Sequence, residues 1–540
     1  MRFNTKSLTF PTAGVSRSRV NREQTRPYTA PWAVNVRSRD PVEDRLRGGS
    51  RPGFVKVSDI KFGDAITAVA AVTHIDDSGV RHRDLVVVAD GSFSTVRGAA
   101  VSVPDTALHT EGGVAILDDE GRELIFNAAV GIAPPGALSA AFSTAERNGK
   151  ILVADSRLHV FDPILGTVEE VVATKGTVPQ GQPIVAVYRD RAILGGADHV
   201  WYASRQGFID DWHFGADMGD LGRAVASSLE RAGHIGEPIT AIIPHGDSIL
   251  TLATANSLWA LHGDPADGKL MRLSSEIGVI THNAWASATE GVQTLFLSHD
   301  GLYLLTPGEH PVRFSAERVP DVLQDVDISA CTVTMAYDAN ERGYHLFITP
   351  HPDRDGKTAQ ATHWWIDIEN KAVWPVVLPA AMQPVAATRR VGEGALSDVV
   401  FGCRDGYLRK FDRAAAADDG TPVESHVLLG PFRLVSDDIS AAMLTEVHGM
   451  FGSGTSGVTC RVVMADSAEE CAAKAVAGIE AAKAGGAVTG VAYTCEMGGP
   501  RNKVFRPRAR GAWGIIWLAA DSAWAYESVA IKLAHLGRIR

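Results

Sequence analysis

Short apolar runs, paired across turns of Asp, Asn or Gly, recur along most of this chain. Clear examples are residues 192–204, 248–261 and 294–305. In each of them an apolar run leads into a turn and then into a second run that holds an aromatic residue. Asp, Asn and Gly tolerate the positive φ that two-residue hairpin turns require, so the pattern predicts β-hairpins.

Similar hairpins are predicted on both sides of this stretch, at residues 85–97, 113–126, 151–161, 343–368 and 399–411. The turn residues Asp155, Asp198, Asn256 and Asp300 lie 43, 58 and 44 positions apart. A four-stranded propeller blade takes roughly 40–50 residues. Residues 55–412 are therefore predicted to form a β-propeller of six or seven irregular blades. Several stacked sheets or one long β-solenoid would also fit the hairpins.

The size and composition of the chain agree with a mainly all-β protein of more than one domain. Its 540 residues exceed what one core usually holds, so two or three domains are expected. The 53 glycines and 26 prolines stand between short apolar runs, which favours many turns and hence β-structure.

Two segments have helical periodicity. Leu221, Val225 and Leu229 recur every four residues in 217–231, which predicts a helix inserted in the propeller. The second helix is predicted over 467–480. Ser467 and Glu470 fit a capping box there, and Ala472, Val476 and Ile479 form one apolar face.

The composition changes after Asp412. Residues 413–420 have the alanine-rich, acidic character of a linker, and strand-like runs resume beyond them. We predict that 421–540 form a smaller C-terminal β-rich, sandwich-like domain that carries the 467–480 helix.

Residues 1–54 are interpreted as an extended basic arm that docks on another protein. Residues 1–52 have a net charge of +7, whereas the remainder has −18, so the arm suits an acidic neighbour. A disordered tail and a nucleic-acid-binding tail are the alternatives. The side chains expected to dock are Tyr28, Trp32, Val34, Val36, Arg37 and Arg39.

A second basic cluster precedes an apolar strand near the C-terminus. Its members are Arg501, Lys503, Arg506, Arg508 and Arg510. Clusters of this kind are usually a solvated face. The functional alternative is a contact with an acidic neighbouring subunit.

No spacing typical of a catalytic or metal site occurs. There is neither an H-E-x-x-H pattern nor a G-x-S-x-G elbow, and residues 452–457 match G-x-G-x-x-G only ahead of a strand-like run, where a hairpin turn is expected. Asp210 and Asp211 stand side by side as solvated turn residues do, and residues 353–356 lack the further ligands of a calcium loop. We predict no enzymatic activity, no cofactor and no metal.

The five cysteines favour a reducing compartment. They are odd in number and form no C-x-x-C pair, which points to free thiols rather than to disulfides or a metal site. The first ten residues contain no apolar core of a signal peptide, and no apolar run approaches the roughly 18 residues of a membrane span. We expect neither export by that signal nor a membrane span.

Several sequence segments, taken together in their order along the chain, resemble a known protein family. They are residues 30–39, 45–53, 201–212, 235–243, 257–264, 296–303 and 506–511, followed by Glu527-Ser528 and Gly537-Arg538. Together they resemble the tail nozzle or hub proteins of short-tailed bacteriophages, of the tail tubular protein B type. The likeness covers nearly the whole chain, although no single phrase is diagnostic.

This resemblance implies a structural ring protein, usually sixfold, below the portal and adaptor. Its channel would pass double-stranded DNA, and its partners would be adaptor or portal-side proteins and tail fibres or spikes. The resemblance also implies assembly in the host bacterial cytoplasm and a final place in the virion tail. An acidic body suits a DNA conduit, since a basic wall would bind phosphates and stall the duplex. Deleting residues 1–40 would then leave the propeller folded and prevent incorporation into particles.

Two other functions remain open from the residues themselves. One is a bacterial propeller that acts as an enzyme or binds carbohydrate, which would need carboxylates or aromatic residues converging on a blade-top pocket. The other is a propeller scaffold for cellular protein complexes.

Overall fold

The computed structural model describes residues 3–17, 29–63, 65–75, 79, 81–97, 100–101, 132–134, 137–139, 142–215, 219–227, 235–288, 293–319, 323–352, 361–391, 397–434, 440–488, 490–497 and 503–538. Within them the fold is almost entirely β-structure, with one α-helix of 16 residues. The prediction of a mainly β protein is confirmed.

In the described residues, five short strands precede the first propeller blade. β3 and β4 pair with each other, whereas β1, β2 and β5 join sheets formed by residues hundreds of positions later. The strands are β1 (Phe3–Leu8), β2 (Ala33–Val34), β3 (Val36–Arg37), β4 (Gly49–Ser50) and β5 (Gly53–Lys56).

Seven antiparallel sheets of four strands follow one another in the described residues, and each is one blade of a β-propeller. Blade 1 contains β6 (Ile66–Ile75), β7 (Arg81–Ala89), β8 (Ser92–Arg97) and β9 (Ala100–Val101). Blade 2 contains β10 (Ser143–Arg147), β11 (Lys150–Ala154), β12 (Leu158–Asp162) and β13 (Thr167–Glu170). Next comes β14 (Lys175–Gly176). Blade 3 contains β15 (Ile184–Tyr188), β16 (Arg191–Gly195), β17 (Trp201–Ala203) and β19 (Val225–Ala226), and β18 (Asp211–Trp212) pairs in parallel with β14.

Each of the next three blades is built from four consecutive strands. Blade 4 contains β20 (Ile239–His245), β21 (Ile249–Thr254), β22 (Leu258–His262) and β23 (Lys269–Ser274). Blade 5 contains β24 (Trp285–Ser287), β25 (Thr294–Ser298), β26 (Gly301–Leu305) and β27 (Val312–Arg313), followed by a 3₁₀ turn at Ser315–Glu317. Blade 6 contains β28 (Cys331–Asp338), β29 (Gly343–Pro350), β30 (Thr362–Asp367) and β31 (Ala372–Val376), followed by a 3₁₀ turn at Ala380–Met382.

Blade 7 takes its outer strand from the other end of the chain. β32 (Pro384–Val391), β33 (Ser397–Cys403) and β34 (Leu408–Asp412) are completed by β5, and Phe54 lies opposite Phe411. Their two rings lie 4.8 Å apart. The N-terminal segment therefore closes the last blade.

Apolar contacts then close the ring of blades. Ile66 and Val69 of blade 1 share a core cluster with Ala386, Val400 and Leu408 of blade 7. The backbone N–H of Ala71 also donates to the Thr388 hydroxyl at 3.2 Å. The predicted propeller is confirmed.

The hairpins predicted in the middle of the blades are also confirmed. Asp155, Asp198, Asn256 and Asp300 each lie in the turn between the second and third strands of a blade. The physical reason is partly different from the expected one, however. The carboxylates of Asp155 and Asp198 accept backbone N–H groups two residues on, at 2.7 and 3.1 Å. They form Asx turns rather than adopting positive φ themselves.

The C-terminal body is a two-layer β-structure that includes N-terminal strands. The body begins with a short hairpin at residues 417–422. Its two sheets share one apolar core, and this core continues into blades 6 and 7 through Trp374, Phe347 and Phe401. The first sheet has the order β1-β44-β38-β41, with β42 also on β38, and the second has β2-β37-β43-β39-β40. The elements are β35 (Ala417–Asp418), β36 (Thr421–Pro422), β37 (Ser425–Arg433), β38 (Ser440–Phe451), β39 (Val458–Ala465), α1 (Ala468–Lys483), β40 (Val491–Met497), β41 (Lys503–Phe505), β42 (Ala509–Gly511), β43 (Trp513–Ala520) and β44 (Tyr526–Arg538).

Helix α1 packs on the outer face of the second sheet, as its sequence signals predicted. The Ser467 hydroxyl accepts the backbone N–H of Glu470 at 3.1 Å, which is the predicted cap. Ile479 of the predicted apolar face is fully buried. Ala472 and Val476 are only partly buried, and Cys471 and Ala475 are fully buried instead.

Three predictions about organisation are wrong in the described residues. Residues 219–227 contain the strand β19 rather than a helix, because Val225 pairs with Ala203 of β17. Residues 413–420 are not a free linker, since they contain β35 and the buried Asp418. The division between an arm at 1–54 and a domain at 421–540 also fails, because β1 and β2 belong to the C-terminal sheets.

Candidate functional site

The innermost strands of all seven blades line a central channel. Its cavity has a volume of about 340 Å³. Small side chains dominate the wall, including Ala68, Ala70, Ala145, Ala386 and Ala387. Small residues let the innermost strands approach one another closely, so the channel is narrow.

The channel is too small for double-stranded DNA. Its volume of about 340 Å³ is spread over about five residues of strand, roughly 16 Å, which leaves a mean cross-section of about 20 Å². The major groove of a duplex alone is about 12 Å wide. Double-stranded DNA therefore cannot pass along the propeller axis.

One mouth of the channel opens into a cavity of about 480 Å³. Its polar lining includes Arg404, His351, His282 and Asn283, and no carboxylate is among the described residues around it. Burial lowers the pKa of His282 to about 4, so this imidazole is neutral at physiological pH. A guanidinium beside neutral hydrogen-bonding groups and apolar walls suits a small anionic ligand.

The junction between propeller and sandwich is organised by Arg51. All five of its N–H donors are used: two go to the Asp418 carboxylate at 2.8 and 2.6 Å, and three to oxygens of Asn35, Pro52 and Val377. The side chains of Arg51 and Asp418 are 1% and 3% exposed. A planar guanidinium that meets a carboxylate through two parallel bonds fixes geometry as well as charge.

Asn35 extends this junction to the sandwich. Its side-chain amide donates to the Glu424 carbonyl at 2.8 Å, and its oxygen accepts the Val377 backbone N–H at 2.8 Å. Its φ of +54° lies in the left-handed region, which Asn tolerates better than most residues. The N-terminal segment is thus bonded to blade 6 and to the start of the second sheet.

Of the six residues predicted to dock on a partner, the five that the structure describes do not form an exposed surface. Val34, Val36 and Arg37 are at most 3% exposed, and Tyr28 lies outside the described residues. Arg37 donates to Glu341 at 3.0 Å and stacks 4.2 Å from the Trp365 ring. The prediction of an exposed docking arm is wrong for these residues, because they are buried against this chain's own blades and sandwich.

The remaining two docking candidates also contact their own chain. Trp32 is half-buried beside Lys483 of α1, whose ammonium lies 5.0 Å from the ring. Arg39 pairs with Glu369 of blade 6 at 3.3 Å. The positive charge of the segment predicted an acidic neighbour. This neighbour is therefore the body of the same chain.

The second basic cluster remains at the surface where it is described. Arg506, Arg508 and Arg510 are exposed, and Arg506 lies 3.3 Å from Glu446 of β38. Lys503 begins the strand β41, and Arg501 lies outside the described residues. Arg506, Arg508 and Arg510 form the basic edge of the first sandwich sheet.

Neither of the side-by-side carboxylates considered for catalysis lies in a cavity described above. Asp211 is buried in β18 and accepts the His213 backbone N–H at 3.1 Å, and the Asp210 carbonyl accepts the Thr174 N–H at 2.8 Å. Residues 353–356 lie outside the described residues. In the part of the chain that is described, no group of three or more His, Cys, Asp or Glu side chains could hold a metal ion. The same described residues include no helix long and apolar enough to cross a membrane.

Several histidines are buried between blades, and sequence reasoning did not single them out. His345 stacks on Phe411 at 4.8 Å, and its Nε2 lies 3.6 Å from the Asp338 carboxylate. His363 is buried against Phe347, with ring centres 5.1 Å apart. Burial lowers the pKa of His363 to about 3. These rings act as neutral packing elements at physiological pH.

Acid is therefore expected to destabilise the fold through His363. A histidine in the unfolded chain has a pKa near 6.5, so below about pH 6.5 the unfolded state binds a proton that the folded state does not. Between pH 7 and pH 5 the free energy of unfolding should fall by about 2 kcal/mol for this one residue. Urea unfolding of His363→Phe should show a smaller loss over the same pH change. His213→Phe, which replaces an exposed histidine, should behave like the parent chain.

No protein-family model matches the chain, and no curated protein matches it. Among solved structures it is similar to the WD40 β-propeller domain of Doa1, at 13% identity and a TM-score of 0.35, over 66% of this chain and 95% of that one. It is also similar to the extracellular domain of the one-component system BT4673 from B. thetaiotaomicron, at 11% identity and a TM-score of 0.37, over 75% of this chain and 45% of that one. A chain of the mitotic checkpoint complex matches at 8% identity and a TM-score of 0.33, over 65% of this chain and 93% of that one. Likenesses of this strength carry no information on activity or partners.

Proposed function

We propose that the chain is a structural subunit of the tail nozzle or hub of a short-tailed bacteriophage, and that copies of it, six by the resemblance, form a ring around the passage for DNA. The observation that carries this proposal concerns the phrases on which the resemblance rests. Residues 30–39, 45–53 and Glu527 meet at one junction. Arg51 donates to the Asn35 side-chain oxygen at 3.0 Å, Arg47 contacts Glu527, and Arg45 reaches Glu527 at 3.1 Å. Phrases that are remote in sequence and close in space support a shared architecture.

The charge distribution supports a ring of touching copies. Residues 53–420 carry 29 basic and 48 acidic side chains, a net charge of −19. The basic edge at Arg506, Arg508 and Arg510 projects from the other body of the chain. Contact between the basic edge of one copy and the propeller of the next is head-to-tail, and head-to-tail contacts generate rings when the rotation closes. DNA would then pass between acidic propellers, which do not hold phosphates.

Labelling of particles tests the proposed location. An antibody raised against the full chain should bind the tail of purified phage particles whose genome encodes it, and the chain should be retained in those particles after washing in high salt. Labelling of the capsid, or a chain found only in the host lysate, would exclude the tail function.

Reversal of charge on the basic edge tests the proposed contact. The double variant Arg508→Glu/Arg510→Glu should keep the melting temperature of the purified chain, because both side chains are exposed. It should nevertheless fail to restore infectious particles when it is supplied to a phage that lacks the gene. Lys269→Glu, an exposed site on blade 4, is the matched control and should restore them. Normal titres with the double variant would rule out the contact.

The cavity at the channel mouth favours a second candidate, a propeller that binds a small anionic molecule. Its guanidinium, imidazoles and apolar walls support this function. Calorimetric titration of the purified chain with a panel of small carboxylates and phosphates, and of Arg404→Met beside it, separates the two functions. Saturable binding that Arg404→Met abolishes would favour the ligand-binding propeller.

A further inference from the structure

Two of the five cysteines lie opposite each other on neighbouring strands. Cys460 of β39 and Cys495 of β40 are direct partners in the antiparallel register. Directly opposed residues of an antiparallel pair project from the same face of the sheet, with Cα atoms about 4.5–5.5 Å apart. Disulfides span Cα separations of about 4.4–6.8 Å, so the backbone of this pair already suits one.

The surroundings of the two thiols confirm that they share a face. Cys460 is fully buried in the core between the sandwich sheets, and Cys495 packs against the same core while keeping partial exposure. All five cysteines are unbridged in the structure, and Cys331, Cys403 and Cys471 are buried. Cys495 is thus the thiol that a reagent in solution reaches first.

We propose that Cys460 and Cys495 form a reversible cross-strand disulfide when the protein leaves a reducing compartment. The oxidant is a low-molecular-weight disulfide such as oxidised glutathione. The Cys495 thiolate attacks one sulfur of the reagent, which forms a mixed disulfide and releases one thiol. Cys460 then attacks the Cys495 sulfur, which forms the Cys460–Cys495 bond and releases the second thiol. The reagent gains the two electrons and two protons that the cysteines lose.

The position of the pair gives the bridge a structural consequence. Among the described residues β40 is an edge strand that pairs only with β39 in the second sheet. Its exposed residues are Ala492, Tyr493, Thr494 and Glu496. Edge strands offer unpaired backbone groups to other chains. The bridge would fix this edge and close a loop that contains α1. Burial raises the pKa of the Cys460 thiol, so the second step should be slower than the first.

Peptide mapping tests the proposal directly. The purified full chain is incubated under native conditions with oxidised glutathione, and the remaining thiols are alkylated after denaturation. Two of the five thiols should be lost, a peptide linking Cys460 to Cys495 should appear, and the melting temperature should rise by about 5–10 °C and return on reduction. Loss of one thiol, with glutathione retained on Cys495 and Cys460 still free, would overturn the proposal.

Single variants assign the order of the steps. Cys460→Ser should accumulate the glutathione adduct on Cys495, and Cys495→Ser should lose no thiol. Cys471→Ser is the matched control, since Cys471 is buried at the α1 interface, and it should still form the bridge. If a variant does not fold, peptide mapping of the parent chain alone still tests the proposal. A linked pair other than Cys460–Cys495 would also contradict the assignment.

Discussion

Deletion of residues 1–40 is expected to prevent the chain from folding. The deleted segment contains β1 and β2, which are strands of the two sandwich sheets, and Asn35, which bonds to Arg51. It also contains Phe10, whose ring lies 5.9 Å from Trp374 of blade 6 and 5.6 Å from Tyr526 of β44. The deletion therefore removes contacts that hold the two bodies together.

The size of this effect follows from the side chains that the segment buries. Leu8, Phe10, Val34 and Val36 are each at most 8% exposed. Burial of such side chains contributes about 1.5–3 kcal/mol each, so these four contribute roughly 6–12 kcal/mol. The net stability of a folded protein is about 5–15 kcal/mol. The loss is comparable with the whole stability of the chain, which reverses the sequence-based expectation that the propeller survives this deletion.

Yield and circular dichroism of the purified truncated chain check this result. A matched pair of point variants measures the effect of burial without removing the segment. Val34→Asp should reduce the folded yield strongly, whereas Val42→Asp, at a position that is 46% exposed, should not. A truncated chain that purifies as a monomer and melts cooperatively near the parent temperature would contradict the interpretation of the segment.

Arg51→Met is expected to lower the free energy of unfolding by about 3–5 kcal/mol, because it leaves the buried Asp418 carboxylate without its partner. The matched control is Arg45→Met. Arg45 also pairs with carboxylates, but its side chain is 55% exposed, so its removal should cost less than about 1 kcal/mol.

The double variant Arg51→Met/Asp418→Leu shows whether the loss comes from the uncompensated charge. It should be more stable than Arg51→Met alone, because no buried charge remains unpaired. Urea unfolding followed by tryptophan fluorescence measures all the variants under one condition. Equal losses for Arg51→Met and Arg45→Met would show that the junction does not depend on burial of the pair.

The propeller was predictable because most of each blade is local in sequence. The hairpins around Asp155, Asp198, Asn256 and Asp300 join consecutive strands, so their turn residues and apolar runs stand together in the chain. The closing strand was not predictable. β5 pairs with β34 across more than 350 residues, and its four residues carry no pattern that specifies a distant partner.

Tertiary contacts also overrode local periodicity at one site. Leu221 and Val225 fit a helical spacing, yet Val225 completes blade 3 as a strand while Leu221 is 55% exposed. The helix α1 was predictable, by contrast, because its cap lies in its own first turn. Local sequence patterns predicted the structure correctly where the interacting residues lie close together in the chain.

The positive charge of the N-terminal segment correctly predicted contacts with carboxylates, but the prediction placed these carboxylates in another protein. Arg37, Arg47 and Arg51 do meet carboxylates, but these belong to Glu341, Asp40 and Asp418 of the same chain. A net charge cannot distinguish a partner in the same chain from one in another chain, since the Coulomb energy depends only on distance and environment. The channel-mouth residues were missed for a related reason, because Arg404, His351 and His282 come from separate blades and meet only after the ring closes.

A cryo-electron-microscopy map of the intact tail is the most direct test of the central claim that this chain is a ring subunit with the DNA passage between its copies. The expected map shows six copies related by rotation, each with its propeller axis displaced from the tail axis and its N-terminal segment folded onto its own blades. The basic edge at Arg506, Arg508 and Arg510 should contact the propeller of the adjacent copy. DNA density along a propeller axis, or a tail in which no density fits this seven-bladed chain, would contradict the claim.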